Sequence, residues 1–172
     1  MGPIHLGMST TQMIKVLGEP DAEASGRAGY SSTVYVFPRD LAVHLRKKPE
    51  PSTYFWAHVA FLRVVLDHNT VVGITSYASR PGSLPYAVGD ITPGEPVAKL
   101  LHEVKTPVIW NASRDNIVLG SYPIEVTVDD QRINGITIAT SRTGFSGLMP
   151  AWQQVTDPVT GLIRDYRVWL QH

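Results

Sequence analysis

Ile4-His5-Leu6-Gly7-Met8-Ser9-Thr10-Thr11-Gln12, closed by Leu17-Gly18-Glu19-Pro20, occurs a second time without a gap as Ile91-Thr92-Pro93-Gly94 through Lys105-Thr106-Pro107. The offset is 87 residues, Ile4 to Ile91. Isoleucine, glycine and proline return in register, and the pairs Met13/Leu100, Ile14/Leu101 and Leu17/Val104 keep an apolar face at helical spacing. A second phrase follows each occurrence. Val64-x-Leu66-Asp67, four residues, Val72-Gly73-Ile74-Thr75 is answered by Val126-x-Val128-Asp129, four residues, Asn134-Gly135-Ile136-Thr137, at an offset of 62. Two phrases in the same order in both halves indicate an internal tandem duplication. The fall in offset from 87 to 62 places 25 additional residues inside the first copy.

Each copy opens on a short helix. Ser9-Thr10-Thr11-Gln12 is a capping box, in which Ser9 accepts from the Gln12 amide and the Gln12 side chain reaches back to the Ser9 amide. The helix is expected to start near Thr10 and to stop at Gly18, with Pro20 forbidding continuation. The second helix, about Val97 to Val104, opens behind Pro96 and lacks the box. Both are too short to stand alone and must bury their apolar faces.

The rest reads as antiparallel sheet. Strands are expected at Thr33–Phe37, Leu41–Leu45, Ala60–Leu66 and Val71–Tyr77 in the first half, and at Asn116–Leu119, Pro123–Val128 and Ile133–Ala139 in the second. Asp67 and Asp129 begin equivalent turns, where aspartate bonds to nearby backbone. The fold class is therefore α+β: two tandem helix-plus-antiparallel-sheet repeats with a C-terminal strand extension. Residues 1–80 form the first repeat, with an aromatic and proline-rich insertion near 47–57. Residues 87–140 form the second, and 141–172 a C-terminal β extension. All three can share one compact domain.

The motif that introduces the helix, Ile4-x-x-Gly7-Met8-Ser9-x-x-Gln12, with Leu17-Gly18-x-Pro20 after it, resembles the beta-lactamase inhibitory protein-like fold. That group includes a tandem inhibitor and the single-copy small lipoprotein of the outer-membrane barrel assembly machinery. Two copies here are similar to the inhibitor; the lipoprotein's acylated cysteine and the inhibitor's disulfides are absent, since the chain has no cysteine. The resemblance implies a sheet presented to another protein and no catalytic motif residue.

Composition excludes several classes. Fifteen basic and fifteen acidic side chains cancel, leaving no field to recruit nucleic acid. No stretch reaches the length of a membrane span, because Val59 to Leu66 is broken by Arg63. No charged-then-apolar leader precedes Ile4, so the expected compartment is the cytoplasm, or the periplasm or exterior with a leader removed.

Chemistry finds little purchase. His102-Glu103 lacks the second histidine of a zinc-protease helix, and Gly144-Phe145-Ser146-Gly147 is one residue short of a nucleophile elbow. The chain is expected to be no enzyme and to need no cofactor or metal. The aromatics point instead to a protein partner: Tyr54, Phe55 and Trp56 in the insertion, Trp110, and Trp152 in the tail are the candidate partner-binding residues. The reading is a protein-binding module, an inhibitor or immunity-type protein that occludes a bacterial enzyme or toxin. The alternatives are an envelope assembly or scaffold factor, and a small-molecule binder or enzyme using the groove between repeats.

Overall fold

The computed structural model describes residues 1–25, 29–37, 60–78, 84, 87–120 and 123–140. The expected strand Leu41–Leu45, the aromatic insertion and the C-terminal extension lie outside the described residues. What is described is an α+β fold: one antiparallel sheet of eight strands and two helices.

Helix α1 spans Thr10–Leu17 and is followed by β1 (Ala22–Ser25), β2 (Tyr30–Phe37), β3 (Ala60–Asp67) and β4 (Thr70–Ala78). Helix α2, Val97–Glu103, is followed by β5 (Val108–Trp110), β6 (Asn116–Leu119), β7 (Ile124–Asp129) and β8 (Arg132–Ala139). The strand order across the sheet is β1-β2-β3-β4-β8-β7-β6-β5. Each half is thus a meander laid out in chain order, and the two meet where their last strands pair. The register there is Gly73↔Ala139, Ile74↔Ile138, Thr75↔Thr137, Ser76↔Ile136 and Tyr77↔Gly135.

The capping box forms. Ser9 Oγ accepts the Gln12 amide at 3.3 Å, and Gln12 Oε1 accepts the Ser9 amide at 2.9 Å. Gly18 ends α1 with φ 80°, its amide donating to the Ile14 carbonyl. Positive φ at this position is what a side chain resists and glycine allows. Pro96 stands before α2 without any side-chain cap, as expected.

The same backbone bonds anchor both helices to the sheet. The Thr10 amide donates to Asn69 at 2.9 Å, and the Val97 amide to Gln131 at 2.9 Å. Val71 N–H donates to Met8 and Ile133 N–H to Glu95, both at 2.8 Å. Bridges Ser9↔Thr70 and Pro96↔Arg132 accompany them. Both closing hairpins turn through two residues at positive φ, His68-Asn69 and Asp130-Gln131, which is the mirror-image turn that matches strand twist. A register shift follows Val65 in one hairpin and Thr127 in the other.

Both helices cover one face of the sheet. Ile4, Met8, Met13, Tyr35, Leu62, Val64, Val71 and Ile74 make the first core cluster. Ile91, Val97, Leu100, Ile117, Leu119, Val126, Val128, Ile133 and Ile136 make the second. Burying an aliphatic side chain contributes about 1.5–3 kcal/mol, which supplies what two such short helices lack by themselves.

Two strands escaped the sequence reading. β1 (Ala-Glu-Ala-Ser) has no β-branched residue and so no propensity signal, and β5 (Val-Ile-Trp) is β-prone but, at three residues behind Pro107, too short to show strand alternation. Trp110, a candidate partner-binding residue, is the last residue of β5.

Candidate functional site

Cross-strand partners share a face of the sheet, so the register decides what the side away from the helices presents. One row reads Ile109, Val118, Glu125, Thr137, Thr75, Arg63, Val34. The next reads Asn116, Thr127, Gly135, Tyr77, Phe61, Val36.

These rows differ sharply along their length. At the first-half end Val34, Val36, Phe61, Arg63 and Val65 are all buried, so β2 and β3 are covered on both faces. At the second-half end the face opens: Ile109 is 53% exposed, Thr127 is exposed, and Val118, Glu125 and Thr137 are half-buried. Tyr77 marks the boundary. Its ring stacks on Phe61 with centroids 5.0 Å apart. It also lies over Gly135, where a Cβ would stand 3.4 Å from Tyr77 Cδ2. Burial, and next the negative charge of Asp129, push the Tyr77 phenol above its ordinary pKa.

Glu125 is the charged group of this surface. Desolvation raises its pKa, and the Asp115 carboxylate adds to the effect. No basic side chain pairs with it among the described residues. The other perturbed carboxylates have local structural work. Glu95 accepts from Lys99 Nζ at 2.7 Å and from the Thr92 amide at 2.8 Å, bonds that hold its pKa down at the start of α2. Asp115 is held below the carboxylate range first by Asn111 and then by Ser113, closing the β5–β6 turn.

A second concavity lies on the helix side, under α2. A cavity of about 650 Å³ is lined by Val88, Ile91, Leu100, Val104, Leu119, Ile124, Val126 and Ile136, with Asp90, Glu103, Lys105 and Thr106 around it. Its walls are apolar and its charged groups few.

Of the residues picked from sequence, Tyr54, Phe55, Trp56 and Trp152 lie outside the described residues. Trp110 pairs with Ile117 and packs half-buried against the second core, on the helix side. Its neighbour Ile109 takes the open face, a consequence of strand alternation that composition does not reveal. Among the described residues no group of three or more His, Asp or Glu side chains is disposed to hold a metal ion, and no helix is long and apolar enough to cross a membrane.

No protein-family model matches this chain, and no curated protein matches its sequence. Two solved structures resemble it at low identity. A cysteine-rich secretory protein from Staphylococcus aureus aligns at 12% identity and TM-score 0.49, over 81% of this chain and 44% of that one. An extracellular protein containing an SCP domain, from Bacillus anthracis, aligns at 11% identity and TM-score 0.46, over 81% and 45%. The chain spans less than half the length of either.

Proposed function

We propose that this chain is an internally duplicated sheet module that binds another protein and does no chemistry of its own. The duplication is supported by paired features at the offsets found in the sequence. Helix anchors recur 87 residues apart, Thr10 with Val97; hairpin turns and register shifts recur 62 apart, His68 with Asp130 and Val65 with Thr127.

The observation that carries the binding reading is the open end of the sheet, where Ile109 is 53% exposed beside Val118 and Glu125. An exposed isoleucine in line with a valine and a half-desolvated carboxylate that no basic side chain pairs with among the described residues is a surface that gains from being covered. The partner that fits offers apolar contact and a lysine or arginine for Glu125, because an opposite charge offsets the cost of covering a carboxylate. In mode of action this is an inhibitor or immunity-type protein, seated on a bacterial enzyme or toxin.

A photo-crosslinking side chain at position 109, with a control at Leu101 on the helix side, tests the assignment in cells of the source organism. Leu101 is 44% exposed, so both probes are accessible. One adduct of defined mass at 109 and none at 101 is the expected result. Equal labelling from both positions would remove the open face as the docking surface.

A further inference from the structure

The cavity under α2 has an internal control, because each of its apolar lining residues has a counterpart in the first half. Helix and entry residues correspond at 87: Val88 to Met1, Ile91 to Ile4, Leu100 to Met13, Val104 to Leu17. Those of β7 and β8 correspond at 62: Ile124 to Leu62, Val126 to Val64, Ile136 to Ile74. The ladders match Leu119 to Tyr35, since Val118↔Glu125 repeats Val34↔Arg63.

At three of these positions the second half is smaller: valine for Met1, valine for Leu17, and leucine for Tyr35. In the first half Tyr35, Met13, Leu62, Val64 and Ile74 are all 0% exposed and fill their core. In the second, where these side chains are shorter, an open hollow of about 650 Å³ lies between α2 and the sheet. Apolar walls left open to water are stabilised when an apolar group covers them. A volume in this range, apolar with a few polar groups beside it, suits a small molecule.

We infer that the hollow under α2 is a binding site for a small amphiphile. Its apolar body would lie against Leu119, Ile124, Val126 and Ile136, and its polar end would meet Lys105, Thr106 and Glu103. The site is on the helix side and therefore independent of the docking face around Ile109.

The test restores the first-half residues. N-phenyl-1-naphthylamine, a neutral apolar fluorophore, is titrated into the full chain, into Leu119→Tyr, and into Val88→Met with Val104→Leu. Saturable one-to-one binding to the wild type is expected, weakened about tenfold or more in either variant, with melting temperatures unchanged or raised. The paired variant keeps the test decisive should Leu119→Tyr fold poorly. Ile109→Lys should bind the dye as the wild type does, which separates this site from the docking face. No saturable binding by the wild type, or equal binding by both filled variants, would overturn the inference.

Discussion

Thr75 and Thr137 face each other across the seam between β4 and β8, their hydroxyl oxygens 2.9 Å apart and part-buried. They are 62 residues apart, the offset of the second repeated phrase, which is where the proposed duplication would place counterparts. The flanking pairs are symmetric about them: Ile74 meets Ile138 and Ser76 meets Ile136. The seam thus has the geometry of a two-fold dimer interface within a single chain, in which an equivalent residue meets itself only on the axis.

The hydroxyl pair gives a first prediction. Thr75→Val or Thr137→Val alone leaves one hydroxyl without its partner and should cost about 1 kcal/mol, whereas the double valine variant should be nearly neutral. A double-mutant cycle by urea denaturation measures the coupling; strictly additive losses would contradict it.

At the end of α1, Gly18 has open space where a Cβ would stand, so its φ of 80° alone decides what the position tolerates. Gly18→Ala should destabilise by about 1 kcal/mol, and Gly18→Val by more, because branching worsens the left-handed strain. Thermal melts of the two variants check the order.

The two hairpins offer the opposite sign. Gln131 holds φ 57° in a turn that prefers Asn or Gly, and it contributes its backbone carbonyl to Val97. Gln131→Gly keeps that acceptor and relieves the conformation, so the melting temperature should rise, by the equivalent of about 1 kcal/mol.

Glu125 predicts a pH dependence. Its folded pKa is raised, so between the ordinary glutamate value and that raised value the folded state holds more protons than the unfolded state. Stability contributed by protonated Glu125 is present at low pH and falls as pH rises through this window. Glu125→Gln should remove that fall, as read from denaturation midpoints across mildly acidic pH. Glu95 acts in the opposite sense: its lowered pKa adds stability above the ordinary value, lost as pH falls.

Much of this fold was legible because its signals are local. The capping box at Ser9, the stop at Gly18 and the hairpin turns each depend on a few adjacent residues. β1 and β5 were not legible, since Ala22–Ser25 is a strand only by virtue of the neighbour it pairs with and Val108–Trp110, though β-prone, is too short to show alternation. For the same reason Trp110 drew attention as a contact residue while Ile109, its neighbour, takes the open face. The hollow under α2 is visible only once the register matches Leu119 to Tyr35, because offsets of 87 and 62 bracket β2 and neither aligns it.

A paired capture measures directly whether the open end of the sheet is a protein-docking face. Wild-type chain and Ile109→Lys, matched for melting temperature, are used as bait in the same lysate, and the retained proteins are quantified by mass spectrometry. The expected result is one protein held in near-stoichiometric amount by the wild type and lost from Ile109→Lys. The same protein retained equally by both baits would contradict it.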